Sequence, residues 1–412
     1  MDMRLATKRA QEASAGARLL DVLARFTFNG APTVCLREGD LDYFVNEFWT
    51  AGQRQAHSLH EVSYRACFKP QLPEFFISRL TGPGASVYDP FSGRGTTALQ
   101  AALMGRRPLA NDVNPLSGLI LRPRLAPPEV ESVRERLQAI ALNGAEIEAE
   151  HEPLLAFYHR ETLHHILALR SYLLGQEASG ATDRIDEWIR MVAINRLTGH
   201  SSGFLSVYTL PPNQAVSPGA QRRINAARCQ TPPFRDLRAI ILKKTRALLA
   251  DGGPPAHPGP LVVTGPAHRT PAVPDCAVDL LVTSPPFLDI VDYASDNWLR
   301  CWFAGIDANS VRIDRHREIR AWEGFVRLSF LEFARVMRPG GIVAFEVGEV
   351  RGGRVLLERH VASAIEGLPF RTLGVMLNRQ EFTKTANCWG VTNNRGGTNS
   401  NRIVIAERSP CA

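Results

Sequence analysis

The chain has no long uninterrupted apolar run, no paired cysteines and no Gly-Lys-Ser/Thr triplet, and each absence removes a class of function. Without about twenty consecutive apolar residues, no helix of the chain can span a bilayer. Met1–Arg18 lacks the charged-then-apolar order of a signal peptide, so a cytoplasmic protein is expected. The seven cysteines are scattered and never form Cys-x-x-Cys, which predicts reduced thiols rather than a disulfide frame or a zinc site. His164-His165 lie in a helical run with no acid or cysteine at ligand spacing, so no metal site is expected. Without Gly-Lys-Ser/Thr there is no Walker loop, and the Gly-x-x-Gly spacing of a dinucleotide pyrophosphate site is missing too. Internal repeats are also absent.

What is present describes a soluble globular protein. With 412 residues, 44% apolar and 22% charged, the chain can form two or three compact units, or one catalytic domain with a large insertion. A formal charge of +7 and a pI near 9.2 suit a polyanionic partner.

Two stretches carry the chemistry. Val278–Val282 reads as a short buried strand, and Thr283-Ser284-Pro285-Pro286-Phe287 ends it, because proline removes a donor and fixes φ. The result is a rigid turn with a hydroxyl, free carbonyls and a ring at a strand end, where open α/β sheets hold ligands. Earlier, Ser86–Tyr88 reads as a strand, Asp89-Pro90-Phe91-Ser92-Gly93-Arg94-Gly95-Thr96-Thr97 as a glycine turn, and Ala98–Met104 as a helix closed by Gly105. That geometry brings backbone close to a cofactor and turns helix N–H groups toward it. Pro108–Asp112 reads as the next strand, and the Asp89-to-Asp112 spacing suits a carboxylate facing ribose hydroxyls.

Around these stretches the chain divides into blocks. Residues 1–55 hold a helix at Leu19–Phe26 and no chemical signature, and are expected to form a packing extension. Pro73–Leu80 reads as a helix with Phe76, Ile77 and Leu80 on one face. Residues 121–258 have helical spacing and are too long for a crossover, so an inserted domain is expected. Within it, residues 211–250 carry Arg222, Arg223, Arg228, Arg235, Arg238, Lys243, Lys244 and Arg246 against Asp236 alone, a candidate phosphate-contacting face. Asn195–Pro212, with Arg196, His200, Ser201, Ser202 and Tyr208, has the polar and aromatic mix of a groove-facing loop. Sheet sequence resumes at Leu261–Val263. Phe325–Met337 reads as a helix, Arg338-Pro339-Gly340-Gly341 as a turn into the strand Ile342–Val347, and Gly374–Leu377 with Arg402–Ala406 as a closing hairpin. Asn387–Asn401 reads as a loop, whose Asn393, Asn394, Asn399 and Asn401 could hydrogen-bond DNA or only stabilise turns.

The glycine turn together with Thr283–Phe287 resembles the paired signatures of S-adenosylmethionine-dependent DNA amino-methyltransferases. Tyr64–Leu72 and Arg338–Gly341 are similar to supporting motifs of that family. The resemblance spans His57–Asp112 and Leu261–Ile405. It implies an α/β fold, a Rossmann-like class I methyltransferase sheet formed by residues 56–120 and 259–412. The motif order, cofactor turn first, implies that residues 121–258 are a target-recognition domain. The implied cofactor is S-adenosyl-L-methionine, contacted by Phe68, Pro70, Asp89, Phe91, Gly93, Gly95, Thr96, Thr97, Asp112 and Thr283. The implied partners are double-stranded DNA and a cognate restriction endonuclease, with no membrane, and no oligomeric state follows.

The reaction follows from the catalytic turn. Ser284 Oγ and the Pro285 carbonyl can accept from the two N–H bonds of an exocyclic amine, drawing its nitrogen toward tetrahedral geometry, while Pro286 stiffens the turn and Phe287 stacks on a flipped base. Ring-carbon methylation would need a Pro-Cys nucleophile, and the one Pro-Cys, Pro410-Cys411, is at the C-terminus. By resemblance, Ser at position 284 points to cytosine N4, with adenine N6 and an RNA base as alternatives. Arg196, His200, Ser201, Arg222, Arg223, Arg228 and Tyr293 are the candidate DNA contacts, and Asp289 and Asp292 could also line a base pocket. One departure stands out. Where the family carries an acid for the cofactor's adenine amino group, this chain reads Thr264-Gly265-Pro266-Ala267, leaving Asp275 or a backbone carbonyl for that role.

Overall fold

The computed structural model describes residues 14–49, 56–64, 67–143, 146–209, 215–288, 293–314, 316–351, 354–379 and 400–410. Its strands in chain order are β1 (Thr27–Phe28), β2 (Ala31–Pro32), β3 (Val34–Glu38), β4 (Leu41–Asn46), β5 (Ser86–Asp89), β6 (Arg107–Asp112), β7 (Leu261–Thr264), β8 (Val278–Thr283), β9 (Met337–Val347), β10 (Glu349–Val350), β11 (Val355–Leu356), β12 (Phe370–Arg379) and β13 (Ser400–Arg408). Nine of them form one sheet in the order β3-β4-β12-β13-β9-β8-β5-β6-β7. Strands β5 to β9 pair in parallel with one another, and β13 runs antiparallel between β9 and β12. This is the expected doubly wound, Rossmann-like α/β fold. From β5 the chain steps outward to β6 and β7, then returns to lay β8 and β9 on the other side. The winding direction therefore reverses between β5 and β8, and a crevice opens at their carboxyl ends.

The strands are apolar on both faces because both faces are covered. Leu280 and Val282 point to the side of the helices Ala15–Arg25 and Gln71–Leu80, whereas Leu281 points to that of Ile319–Val336 and Leu357–Ile365. Ser14 caps the first helix by accepting from Ala17 N at 3.1 Å.

Three expectations change. Residues 34–46 are more than a packing extension: β4 pairs in parallel with β12, β3 pairs with β4, and the sheet gains two edge strands. Asn378 Oδ1 fixes the exit from β4 by accepting from Phe48 N at 2.7 Å. Arg338–Gly341 is an excursion within one strand, because Val278 pairs with Met337 while Leu280 already pairs with Ile342, and Gly340 takes φ +77°. The helical block is not walled off either. Its helices Val130–Ala139, Arg160–Ala178, Arg184–Arg196 and Leu237–Leu248 share one core with Ala98 and Leu99 from the β5–β6 crossover, with Leu116 and Ile120 from the helix after β6, and with Leu299, Cys301 and Phe303 from the helix Tyr293–Ala304. Leu121 and Leu125, at the end of the helix Pro115–Leu125, belong to the same core. Asp289, Asp292, the side chain of Tyr293, Asn393, Asn394 and Asn399 lie outside the described residues.

Phe330 is fully buried, with ring centroids 5.1 Å from Phe333, 5.2 Å from Phe345 and 5.2 Å from Phe370. Phe330→Ala is expected to cost about 3–5 kcal/mol. Urea unfolding should show a lower midpoint at unchanged slope.

Candidate active site

The two turns expected from the sequence face each other across the switch point. At the end of β8, Thr283 Oγ1 donates to Asp89 Oδ1 at 2.6 Å, and Asp89 ends β5. Thr97, in the first turn of the helix Thr96–Leu103, donates to the Val282 carbonyl at 3.0 Å. The glycine turn between them needs two left-handed residues, Gly93 at φ +53° and Gly95 at φ +80°. Gly95 has a second reason to lack a side chain, because a Cβ there would stand 2.5 Å from Leu121 Cδ1.

A cleft of about 750 Å³ lies above this junction. Of the residues predicted to hold a cofactor, Phe68, Phe91, Gly93, Thr96 and Asp112 line it, joined by Ser284 and Pro286 from the Thr283–Phe287 turn. Pro70, Asp89, Gly95, Thr97 and Thr283 do not line it. Pro70 caps the helix Gln71–Leu80; Gly95 packs on Leu121; Asp89, Thr97 and Thr283 form the hydrogen-bonded floor, each at most 1% exposed. They hold the site in shape from beneath. Pro285 is likewise off the cleft wall, and Phe287 rests on the backbone at Gly348, where a Cβ would come within 2.8 Å of its ring. The turn itself is braced, since Trp322 Nε1 donates to the Pro286 carbonyl at 2.9 Å.

Several cleft or supporting residues had no usable signal in the sequence. Ser92, Val113, Cys67, Ile313 and Asp314 line the cleft. Arg94 fills an unspecified position of the glycine turn, yet its guanidinium donates to the carbonyls of Val62 at 3.1 Å and Phe68 at 3.2 Å, fastening the turn to the Tyr64–Leu72 segment. Buried Glu346 hydrogen-bonds the Ser284 side chain and accepts from Asn401 Nδ2 at 2.5 Å. Strand pairing of Thr283 with Phe345 makes Ser284 and Glu346 neighbours, a relation that appears only once β8 and β9 are adjacent.

The electrostatics favour a cationic ligand. Burial pushes the Asp89 carboxyl up to about 7, against bonds from Thr283, Phe91 N and Thr97 that pull it down. Burial likewise raises Asp112 to about 6, although it accepts from Gly93 N at 2.7 Å and Asn114 N at 2.9 Å. No cation pairs with either carboxylate among the described residues. Ser92 Oγ is buried at the cleft and also lacks a partner among them. Two underneutralised acids and an unsatisfied hydroxyl around a cleft of mixed polar and apolar lining fit a ligand that carries positive charge, hydroxyls and an aromatic ring.

The candidate nucleic-acid contacts fall in different settings. Arg196 stacks over Phe204 at 4.0 Å, and burial, then Arg300, lowers it to about 10. It lines a second groove with Ser202, Phe234, Arg235, Lys243 and Lys244. His200 lies 6.1 Å from the Phe204 ring, Ser201 is exposed, and Arg228 stacks on Tyr208 at 3.8 Å. Arg222 and Arg223 are exposed on the helix Pro218–Ala227. Arg238 instead donates to the carbonyls of Leu137 and Ile140, and serves the helical packing. Asp275, the suggested adenine contact, is paired with Arg335 at 2.5 Å and is absent from the cleft wall. Among the described residues Glu148, Glu150 and His151 form the one group of acids and histidines compact enough for a metal, and none of them lines the cleft. No helix among the described residues is long and apolar enough to cross a membrane.

Residues 30–156 match the N6_N4_Mtase family model, described as DNA methylase. The type II methyltransferase M.MjaII of Methanocaldococcus jannaschii is 32% identical over 84 residues, which is 20% of this chain and 16% of that protein. Among solved structures, the Thermus thermophilus protein TTHA0409, described as a putative DNA modification methylase and complexed with S-adenosyl-L-methionine, is 20% identical over 36% of this chain and 55% of its own, with a TM-score of 0.22. A TehB-like SAM-dependent methyltransferase from Corynebacterium glutamicum is 7% identical over 83% of this chain and 89% of its own, with a TM-score of 0.28. Both scores are low, and the fold stands on the strand order itself.

The raised Asp89 carboxyl has a consequence for stability. Its folded value, about 7, lies above the unfolded value near 3.8, so between those limits the native state binds a proton that the unfolded state does not. Stability from the neutral form is present at low pH and lost as pH rises through about 7. Asp89→Asn removes that dependence. Its stability relative to the wild type, from urea unfolding without ligand, should increase from pH 4 to pH 7 and then level off; a flat difference would refute the raised value.

Proposed function

We propose that the protein is an S-adenosylmethionine-dependent DNA methyltransferase that modifies the exocyclic N4 of cytosine in double-stranded DNA. The observation that carries the reading is the single cleft shared by the glycine turn and the catalytic turn, with Gly93 and Asp112 on one wall and Ser284 and Pro286 on the other. The family match over residues 30–156 supports the same class of reaction.

Phe68, Phe91, Gly93, Thr96 and Asp112 would hold the cofactor, which when bound supplies a methyl group on a sulfonium centre. Asp112 stands where it can accept from ribose hydroxyls while it keeps its bonds to Gly93 N and Asn114 N. An exocyclic amine conjugated with its ring is a weak nucleophile, so the protein's task is to free its lone pair and aim it. Ser284 does this from a fixed position. Its hydroxyl bonds the buried Glu346 carboxylate, which leaves oxygen lone pairs to accept from one N–H, and the Pro285 carbonyl accepts from the other. Burial raises the Glu346 carboxyl, placing a proton acceptor one bond behind the serine. Phe287, next in the turn, offers a ring face to the extruded base.

The groove formed by Arg196, Arg235, Lys243 and Lys244, with exposed Arg222 and Arg223, is assigned to the DNA backbone. Such contacts position the duplex rather than read its sequence.

Incubation with labelled cofactor and genomic DNA, followed by digestion to nucleosides, should yield N4-methylcytosine. N6-methyladenine alone would overturn the base assignment, and label in RNA but not DNA would overturn the substrate class. Ser284→Ala is expected to slow transfer by roughly 100-fold or more while calorimetric affinity for the cofactor changes little; unchanged turnover would remove Ser284 from the mechanism. Replacing Arg222 and Arg223 together with alanine should reduce the slope of log affinity against log salt by about two. A slope equal to the wild type's would move the phosphate contacts elsewhere.

A further inference from the structure

The two ends of the cleft can be told apart by their neighbours. A Cβ on Gly93 would stand 3.6 Å from Cys67 Sγ and 3.8 Å from Tyr64 Cε1, so one end lies between the glycine turn and the Tyr64–Phe68 segment. At the other end Asn111 Nδ2 donates to the Pro90 carbonyl at 3.2 Å and to the Gly265 carbonyl at 2.9 Å. That clamp sets Phe91 beside Pro266 and Ala267. A later segment covers the same end: the His316 ring lies 5.1 Å from Phe325, and Phe325 lies 5.5 Å from Phe91. Ile313 and Asp314 of this segment complete the wall. Asp112, bonded to both Gly93 N and Asn114 N, stands between the two ends.

An end walled by Phe91, Val113, Pro266, Ala267 and Ile313 suits a flat aromatic ring. An adenine ring there also needs an acceptor for its amino group, and the chain after β7 supplies no carboxylate, reading Thr264-Gly265-Pro266-Ala267. Asp275 is committed to Arg335 and is off the wall. The Asp314 carboxylate is on the wall, exposed at its edge, and forms no hydrogen bond or ion pair among the described residues.

We propose that Asp314, reaching in from the segment before the helix Ile319–Val336, accepts the hydrogen bond from the exocyclic amino group of the cofactor's adenine ring. The assignment rests on the S-adenosylmethionine reading above and adds the residue that recognises the ring. It makes adenine selectivity a property of a residue fifty positions beyond the end of β7, as the interval from Thr264 to Asp314 shows.

The test is calorimetric titration of the whole chain with S-adenosylhomocysteine and with S-inosylhomocysteine, in which a ring carbonyl replaces the amino group. The wild type should bind the adenosyl compound roughly tenfold or more tightly, because a hydrogen bond to a charged acceptor is lost and a carbonyl meets a carboxylate. Asp314→Ala should bring that ratio close to one, with affinity for the inosyl compound unchanged or improved. Asp314→Asn, which keeps an oxygen acceptor, should retain part of the ratio, and Asp275→Ala all of it. A wild-type ratio in Asp314→Ala would overturn the assignment. So would an equal loss for both compounds, which would place Asp314 against the amino-acid end, or a wild type that binds both equally. A wild type that binds neither compound would overturn the cofactor reading itself, and this assignment with it.

Discussion

The hydrogen bond from Thr283 to Asp89 is the joint on which the site depends. It spans the one place in the sheet where the winding direction reverses, and it ties the end of β8 to the end of β5 at 2.6 Å. Both partners are buried, so the bond is shielded from water, and loss of either would leave a polar group stranded in an apolar floor. Thr97 doubles the tie by reaching the Val282 carbonyl. The glycine turn and the catalytic turn are held in register by these three side chains, none of which lines the cleft above them.

An acid withdrawn from water with no cation nearby is costly, and the site has two, Asp89 beneath the cleft floor and Asp112 on the cleft wall. Asp89 and Asp112 both have carboxyls raised by burial, and their mutual repulsion raises Asp89 further. Such an arrangement persists where a ligand of opposite charge repays it, as a sulfonium cofactor would in the proposed reaction. On the side of the Thr283–Phe287 turn Glu346 is also buried, yet it is bonded to Ser284 and Asn401 and so holds the serine in one orientation. These three carboxylates sit in different settings: Asp89 bonded beneath the floor, Asp112 between the two ends of the cleft, and Glu346 behind the serine.

The helical block gives this chemistry a rigid neighbour. Because Trp188, Ile189 and Ile241 share a core with Leu99, Leu116 and Phe303, the groove carrying Arg196 and Lys244 is packed directly onto the crossover helices of the sheet. Trp188 Nε1 bonds Thr245 Oγ1 at 3.0 Å inside that core, and Lys244 meets Glu61 at 3.2 Å beside it. A duplex lying along the groove would then be positioned relative to Ser284 by packed helices rather than by a linker.

The local sequence determined much of this. Proline after a buried strand can only end it, glycines at 93 and 95 answer a left-handed backbone, and the apolar run Leu280–Val282 follows from covering both faces. The two turns, their strands and the helices that follow were therefore legible from residue chemistry at short range. The tertiary structure decided which of those residues the cleft exposes and which it buries. Asp89, Thr97 and Thr283 look like ligand contacts in a motif, but only the adjacency of β5 and β8 turns them on one another. Glu346 and Asp314 look like ordinary acids in the sequence. Strand pairing puts Glu346 behind Ser284, and ring contacts from Phe325 to Phe91 and His316 bring the segment of Asp314 over the cleft. Those relations join residues tens to hundreds of positions apart, and spacing along a chain cannot encode them.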